Sequence, residues 1–432
     1  MAAAPNILFI VADDLGYADL SCCGQTDFST PHLDALAREG TRYTQAYANS
    51  PLCTNTRVAL ITGRYQYRYK LGLTEPLRHS RQVDPDMGLP PDVPTLPGRL
   101  REAGYDTALI GKWHLGALPM FGPLKSGYDR FTGIMGGYTG YFTRIGDGCV
   151  PDFYDGETPV EVEGYTTDIL SDMAADFVKT RSPGARPFFL SLHYTAPHWP
   201  WSAPSVEAAA RKRELGPQSG HFEGGSPRIY AEMVGAMDAG IGRVMAALRT
   251  TGLDRDTLVV FTSDNGGERY SKNWPFVGRK LDLLEGGIRV PQILRWPGRV
   301  PRSVSDQVTI SMDLSATCLA AAGVEVTDGD GLEGIDLLPL LAGPTVSRTL
   351  YWRMRERMQR SVRRGDWKYL KVEDREYLFD LGYDWRERAD FAAEHPAVLA
   401  ELRESWLEWN KSMLPLPEGE TPRAAALYKM LW

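Results

Sequence analysis

Short apolar runs recur along the chain, separated by longer segments with helical spacing. The first run is continuously apolar, which is typical of a parallel strand buried on both faces of a sheet, and four of the runs are predicted strands. They cover residues 7–12, 105–110, 187–192 and 258–262. The segments between them include residues 30–40, 167–179 and 230–249, and the first begins with Thr-Pro and ends with Gly. This alternation predicts a doubly wound sheet with right-handed crossovers.

The residue pattern changes near position 345. Short Arg- and Trp-rich segments such as 362–370 are typical of antiparallel hairpins, and a helical pattern follows from about Pro396 to Met413. Because 432 residues exceed one ordinary core, we predict a large domain over 1–344 and a small α+β domain over 345–432. The expected fold class is α/β: a large mixed, mostly parallel sheet sandwiched by helices, plus a small C-terminal antiparallel sheet with a helix.

Polar side chains follow the four predicted strands near the point where each strand ends. They are, in chain order, Asp13 and Asp14, Lys112 and His114, His198, and Asp264 and Asn265. Each motif by itself also fits a solvated turn or ordinary packing, and we interpret His193 as a core residue. Ligands of doubly wound sheets bind beyond the carboxyl ends of the strands. One shared site therefore explains the coincidence better than four unrelated turns.

A polar loop runs into an apolar helix at residues 53–64. Cys53 falls at or just before the predicted N-terminus, and Thr54 or Asn55 is a plausible cap. The partial positive charge of a helix end favours a thiolate, and Arg57 lies one turn further along. A buried free cysteine beside a structural arginine is the plainer interpretation of this stretch alone.

Taken together, the strand ends predict a cation next to an anion site. The groups that such a site needs are Asp13, Asp14, Asp264 and Asn265 as hard oxygen ligands, and Arg57, Lys112, His114, His198 and Lys280 as basic groups. A divalent cation would act as a Lewis acid and lower the pKa of the nucleophile that it touches, here Cys53. The basic groups would neutralise charge as a leaving oxygen departs. The predicted ligand is a tetrahedral oxyanion ester.

Composition narrows the possible partners and location. The net charge of −7 argues against a nucleic-acid binder, although a locally cationic site remains compatible with it. Five cysteines without a Cys-x-x-Cys pair favour a reducing compartment over a disulfide framework. No signal peptide or transmembrane run is visible, so we expect a cytoplasmic protein with no membrane contact, or a periplasmic or secreted one if the N-terminus is processed. The oligomeric state is left open.

Seven segments carry a resemblance to one family. They are 5–16 (PNILFIVADDLG), 53–64 (CTNTRVALITGR), 111–116 (GKWHLG), 196–200 (APHWP), 262–266 (TSDNG), 285–291 (EGGIRVP) and 365–369 (GDWKY). In this order they resemble the type I sulfatases of the alkaline-phosphatase superfamily, nearly from end to end. The resemblance implies hydrolysis of a small-molecule or saccharide sulfate ester to an alcohol and inorganic sulfate.

The same resemblance implies the mechanism. A formylglycine-generating enzyme would oxidise Cys53 to formylglycine, whose hydrate attacks sulfur to form a covalent sulfo-enzyme intermediate. The implied ligands of a Ca²⁺ ion, or another divalent cation, are Asp13, Asp14, residue 53, Asp264 and Asn265. Arg57 and Lys112 would steady the formylglycine, and His114 would take the proton as the intermediate collapses. His198 and Lys280, together with Lys112, would bind the sulfate, and the first two would assist the leaving oxygen.

One departure from the family motif Cys-x-Pro-x-Arg leaves alternatives open. Asn55 occupies the proline position, which the maturing enzyme reads in an extended segment, and Thr56 occupies the usual serine position. If Cys53 stays a thiol, the chain is a non-catalytic binder of sulfated ligands, or it works through the thiolate or a metal-bound water. A phosphonate monoester or phosphodiester hydrolase is the alternative within the superfamily. Such relatives tend to have His after the metal-binding Asp, so Asn265 favours sulfate.

Overall fold

The computed structural model describes residues 4–77, 87–146, 149–216 and 224–417. Its strands are β1 (Asn6–Ala12), β2 (Thr41–Tyr43), β3 (Ala46–Tyr47), β4 (Asp106–Lys112), β5 (Arg130–Ile134), β6 (Tyr154–Asp155), β7 (Thr158–Pro159), β8 (Phe188–His193), β9 (Thr257–Ser263), β10 (Gln292–Arg295), β11 (Ser303–Ser305), β12 (Thr309–Ile310), β13 (Thr349–Arg353), β14 (Arg360–Arg364), β15 (Trp367–Val372) and β16 (Arg375–Asp380). Its α-helices are α1 (Pro31–Glu39), α2 (Cys53–Thr62), α3 (Leu96–Glu102), α4 (Thr166–Lys179), α5 (Glu207–Glu214), α6 (Pro227–Thr250), α7 (Glu285–Ile288), α8 (Ser311–Ala321) and α9 (Pro396–Lys411).

Ten strands form one sheet in the order β11-β2-β10-β9-β1-β8-β4-β5-β6-β7. Strands β9, β1, β8, β4 and β5 run parallel, whereas β10 and β6 join them antiparallel. The mixed, mostly parallel sheet predicted from the sequence is therefore confirmed. The four predicted strands correspond to β9, β1, β8 and β4, which lie side by side in the sheet.

Alternate side chains of β1 anchor the two faces of the sheet. Leu8 and Ile10 belong to a buried cluster with residues of α4 and α6. Ile7, Phe9 and Val11 belong to a second cluster, which includes residues of α2 and α8. Burying a side chain of this size stabilises the fold by roughly 1.5–3 kcal/mol relative to leaving it exposed. Helices therefore cover both faces and fix the position at which each central strand ends.

The C-terminal strands form an antiparallel sheet in the order β13-β14-β15-β16, and α9 packs against it through Leu402 and Trp406. This confirms the predicted small sheet with a helix. A further apolar cluster joins Leu52, on the large-sheet side, to Trp352 and Leu370 of the small sheet. The domain boundary at 344 and 345 stays a prediction. No helix among the described residues is both long and apolar enough to cross a membrane.

Candidate active site

The carboxyl ends of the four central strands meet at one edge of the sheet. The strand register pairs Ala12 with Ser263 and Val11 with His193, and Gly111 also pairs with His193. The chain therefore leaves β1, β9, β8 and β4 at the same level. All the predicted site residues are buried there: Asp13, Asp14, Cys53, Arg57, Lys112, His114, His198, Asp264, Asn265 and Lys280.

Three buried carboxylates are paired with three buried basic side chains. The pairs are Asp13 Oδ2 with Lys112 Nζ at 2.6 Å, Asp264 Oδ2 with Arg57 Nε at 2.9 Å, and Asp14 Oδ2 with Lys280 Nζ at 2.7 Å. Removing one member of such a pair leaves a buried charge uncompensated, at a cost of about 3–5 kcal/mol. The formal charges of these six groups balance, so a divalent cation would make the site net positive. That charge suits an anionic ester.

Two site residues hold strained backbone conformations. Asp14 and His114 both have φ of 62°, in the left-handed region that favours glycine. The backbone N–H of Asp14 donates to Asp264 Oδ1 at 3.2 Å, and that of His114 donates to the Met135 carbonyl at 3.1 Å. Such conformations cost about 1–3 kcal/mol each and persist where the surroundings enforce them, commonly at functional sites.

The two neighbouring aspartates are electrostatically different. Burial and the Asp264 charge raise the pKa of Asp13 to about 8, although Lys112 opposes them. Burial also acts to raise the pKa of Asp14, but Lys280 and His198 outweigh it and hold that pKa below its usual range. Asp14 therefore remains a carboxylate, and an added cation would lower the pKa of Asp13 as well.

The donor set fits a hard divalent cation. Among the described residues, Asp13 Oδ1 and Asn265 Oδ1 are buried and have no hydrogen-bond partner. Donor atoms of Asp13, Cys53 and Asp264 lie within 4.8 Å of one another, as do those of Asp13, Asp14 and His198. Carboxylate and amide oxygens are typical ligands of Ca²⁺. The second group adds His198 to the ligand candidates, which the sequence patterns alone did not suggest.

Cys53 is the first residue of α2, and the cap is Leu52. The expected cap at Thr54 or Asn55 is therefore wrong, because the extended conformation that marks a cap occurs one residue before Cys53. Burial raises the pKa of the Cys53 thiol, although Lys112 and Lys280 act to lower it. Burial thus outweighs the helix end, and the unmodified side chain is a thiol at neutral pH.

The two residues that depart from the family motif both make local bonds. Asn55 Nδ2 donates to the Gly72 carbonyl at 2.8 Å. Thr56 Oγ1 accepts from the Ser50 N–H at 3.0 Å and donates to the Ser50 carbonyl at 2.9 Å. Since a serine hydroxyl could make the same two bonds, Thr56 is a mild change. Asn55 instead ties α2 to the turn around Gly72.

Hydrogen bonds assign the protons of two site histidines. His114 Nε2 lies 2.8 Å from the Leu77 carbonyl, which can only accept, so Nε2 carries the proton. The bare Nδ1 is buried without a partner among the described residues. His198 Nδ1 lies 2.5 Å from the Trp199 carbonyl, which leaves Nε2 bare, 3.5 Å from Asp14 Oδ2. Burial, reinforced by Lys112 for His114 and by Lys280 for His198, lowers both pKa values well below 6.5.

His193 contributes more than the core role expected from the sequence. Its Nδ1 lies 3.4 Å from Arg57 Nη1, and its ring packs 6.3 Å from Phe9. Burial, followed by the charge of Arg57, lowers the pKa of His193 well below 6.5. A neutral ring can accept a hydrogen bond from the guanidinium, so His193 supports Arg57.

The Gly-rich loop around residue 138 brings aromatic contacts to the site that the sequence analysis did not predict. The Tyr138 ring stacks on His198, with centroids 6.2 Å apart and planes 12° apart, and lies 4.1 Å from Trp199. Gly137 packs so closely on His114 that a Cβ would come within 2.7 Å of Nε2. Trp201 instead packs away from this group, against Tyr270. The only sequence signal was a tyrosine after paired glycines.

Comparisons with known proteins identify the family. A family model described as Sulfatase matches residues 5–324. The chain belongs to the sulfatase family. This sulfatase is 34% identical over 373 residues to N-acetylgalactosamine-6-sulfatase of Canis lupus familiaris. The alignment covers 81% of this chain and 68% of that protein. It is 33% identical over 424 residues to steryl-sulfatase of Mus musculus, and this alignment covers 78% of this chain and 65% of that protein.

A solved structure extends the likeness to the whole sulfatase chain. Ps i-CgsB in complex with k-i-k-neocarrahexaose matches with a TM-score of 0.85 and 30% identity, over 99% of this chain and 97% of that chain. The fold is that of the alkaline-phosphatase superfamily. This sulfatase is therefore a sulfuric ester hydrolase, as the names of its relatives indicate.

Proposed function

We propose that this sulfatase hydrolyses sulfated saccharides by nucleophilic attack of residue 53 on sulfur, with a divalent cation bound at Asp13, Asp14, Asp264 and Asn265. The observation that carries the proposal is the convergence of three carboxylates, two unpartnered ligand oxygens and three basic side chains around Cys53. Ps i-CgsB was solved with a neocarrahexaose, and another relative is named for N-acetylgalactosamine. The Tyr138 and Trp199 rings beside His198 offer a surface for a sugar ring.

Two groups would complete the chemistry at this site. Formylglycine, made from Cys53 by a formylglycine-generating enzyme, supplies a hydrated aldehyde as the nucleophile. The cation, Ca²⁺ by its oxygen ligands, supplies Lewis acidity toward the sulfate oxygens.

The side chains of this chain would perform the remaining steps. Arg57 and Lys112 hold residue 53 in place and offset negative charge, since both lie buried beside it. His114 takes a proton at its bare Nδ1, because its other nitrogen is engaged by Leu77. Lys280 and His198 face the same carboxylate, that of Asp14. Lys280 would bind the sulfate and stabilise the leaving oxygen, and His198 would act with it once its Nε2 carries a proton.

Substrate preference separates this proposal from the superfamily alternative. We expect 4-nitrophenyl sulfate to be hydrolysed with a higher kcat/KM than the 4-nitrophenyl ester of phenylphosphonate. The reason is that Asn265 follows the metal-binding Asp264, whereas phosphonate hydrolases of the superfamily tend to have His at that position. Both esters release the same phenol, so initial rates under identical buffer and calcium can be compared directly. Faster turnover of the phosphonate would make the chain a phosphonate monoester hydrolase.

The state of residue 53 can be read from one peptide. We expect mass spectrometry of the tryptic peptide from Tyr43 to Arg57 to show an aldehyde at position 53 when the protein is co-expressed with a formylglycine-generating enzyme. Specific activity should rise in proportion to the aldehyde fraction. Protein made without that enzyme is the control.

Two other results would replace this mechanism. Full activity with only a thiol at Cys53 would rule out formylglycine and leave a thiolate or metal-bound water as nucleophile. Binding of a sulfated saccharide without turnover, in protein that keeps the Cys53 thiol even after co-expression with the formylglycine-generating enzyme, would make the chain a non-catalytic binder.

A further inference from the structure

The connection between β13 and β14 reaches the segment that carries Lys280. The last residue of this connection is Gln359, which is 2% exposed to solvent. The side-chain nitrogen of Gln359 donates to the Leu281 carbonyl at 2.8 Å, and its oxygen accepts from the Leu283 N–H at 2.8 Å. One amide group from the small sheet thus binds the backbone on the C-terminal side of Lys280 at two points.

The backbone next to Lys280 needs such support. Leu281 has φ of 77°, a conformation that costs a non-glycine residue about 1–3 kcal/mol. The Lys280 N–H donates to the Gly267 carbonyl, and the Leu281 N–H donates to the Pro51 carbonyl, both at 3.1 Å. These bonds fix the side of the segment that faces the site. Gln359 supplies the two bonds that fix its continuation, so the strained residue is held from both directions.

The connection that carries Gln359 is itself tied down. The carboxylate of Glu75 accepts from the backbone N–H of Arg355 at 2.9 Å and of Glu356 at 3.1 Å. Glu75 lies two residues before Leu77, whose carbonyl binds His114. The connection between β13 and β14 therefore contacts the backbone near both Lys280 and His114. Its bonds to Glu75 fix its position independently of Lys280.

We infer that Gln359 is a positioning residue for Lys280: its amide holds the strained Leu281 so that the Lys280 ammonium meets Asp14 and the leaving oxygen. The inference rests on the role proposed above for Lys280. Loss of the amide would let the ammonium shift without removing it. Misplacement by about 1 Å can cost roughly 100-fold in rate. The loss should be greatest for esters whose leaving group most needs charge stabilisation.

A second buried glutamine provides a matched control. Gln307 is 1% exposed, and its amide accepts from the Val346 N–H at 2.7 Å and donates to the Val346 carbonyl at 3.1 Å. It therefore has the same burial and the same two-sided backbone bonding as Gln359. Among the residues that the structure describes, its hydrogen bonds reach none of the proposed site residues. Q307M and Q359M remove equivalent bonds and keep similar side-chain volume.

The experiment measures kcat/KM for a series of aryl sulfates of rising phenol pKa in wild type, Q359M, Q359E, Q307M, K280M and the double variant K280M/Q359M. We expect Q359M to lose roughly 10- to 100-fold on the poorest leaving groups and much less on the best. Q359E keeps the acceptor for Leu283 but cannot donate to Leu281. A plot of log kcat/KM against the phenol pKa should therefore have the same slope for Q359E as for Q359M. Q307M should lower the melting temperature comparably and leave the slope at its wild-type value.

The double variant separates positioning from general damage. If Gln359 acts through Lys280, then adding Q359M to K280M should cost little further activity. A uniform loss across the series, a slope equal to that of Q307M, or additive losses in K280M/Q359M would overturn the inference. A K280M variant as active as wild type would instead refute the role proposed for Lys280, and the inference would fall with it.

Discussion

D264N is expected to abolish sulfate-ester hydrolysis and calcium binding together. Asp264 Oδ2 accepts from Arg57, and its Oδ1 accepts from the strained Asp14 backbone, so one carboxylate organises the acidic, basic and backbone parts of the site. Asparagine keeps the shape but loses the charge, and it would turn an N–H₂ group or a neutral oxygen toward Arg57. Changes to groups that only support metal ligands cost about 10–100-fold. Loss of a ligand itself should exceed that range.

Three measurements check this expectation: initial rates on an aryl sulfate, a calcium titration by calorimetry, and a urea unfolding curve. Loss of the buried Arg57 partner should also lower the free energy of unfolding by about 3–5 kcal/mol. D313N is a matched control, because Asp313 is fully buried and paired with Arg348 outside the candidate site. It should lose stability but keep calcium affinity. Wild-type calcium affinity in D264N would contradict the ligand assignment.

K368M is expected to destabilise the fold by about 3–5 kcal/mol at neutral pH. Lys368 Nζ on β15 lies 2.9 Å from Glu285 Oε1 and 2.7 Å from Glu387 Oε1, and all three groups are buried. Tyr47 donates to the other oxygen of Glu285 at 2.6 Å. Methionine fills the space of the lysine stem but leaves two carboxyls without their shared cation.

The loss of folding stability in K368M, relative to the wild type, should grow as pH rises. In the wild type, burial raises the pKa of Glu387 to about 7, although Lys368 opposes it. Burial acts the same way on Glu285, but Lys368 and Arg289 hold its pKa at about 2. Without the lysine both pKa values rise, that of Glu387 from about 7 and that of Glu285 from about 2. The folded variant then binds more protons than the folded wild type while the unfolded chains bind equal numbers, so the stability of K368M falls further below that of the wild type as pH rises.

Urea unfolding at pH 5.5 and pH 8 tests the sign of this effect. K368M/E387Q should recover part of the loss at pH 8, because one of the stranded charges is removed. R403M is the surface control: Arg403 pairs with Glu376 but is 42% exposed, so the loss should stay below about 1 kcal/mol. A deficit in K368M that is equal at both pH values would contradict the buried-charge explanation.

The sequence predicted the features that follow from local pattern and one topological rule. Short, mainly apolar runs identified the central strands, and the rule for ligands at carboxyl ends then placed Asp13, Lys112, His198 and Asp264 together. Cys53 could be placed at a helix start because polar residues precede an apolar run. The exact cap could not, because Leu52 caps through backbone conformation and not through a side chain.

The features that the sequence did not predict depend on contacts between distant segments. Gln359 bonds residues nearly 80 positions away, and Lys368 meets Glu285 at a sequence separation of 83. No sequence signal marks Gln359, and the segment 365–369 that contains Lys368 does not indicate which residues its ammonium contacts. Burial is the missing information, since it decides that the Cys53 thiol stays protonated and that Lys368 needs two partners. Strand pairing sets that burial only when the whole chain is folded.

If Cys53 is matured as proposed, the strand order sets a time limit on that step. The first strand of the chain, β1, sits between β8 and β9, and the side chain of Cys53 is 2% exposed once the sheet has closed around it. An enzyme that must grasp the segment around residue 53 can do so only while the sheet is incomplete. Synthesis of the roughly 200 residues between Cys53 and the end of β9 takes roughly 10–40 s at 5–20 residues per second. Faster elongation or faster folding should therefore yield a larger fraction of permanently unmodified protein.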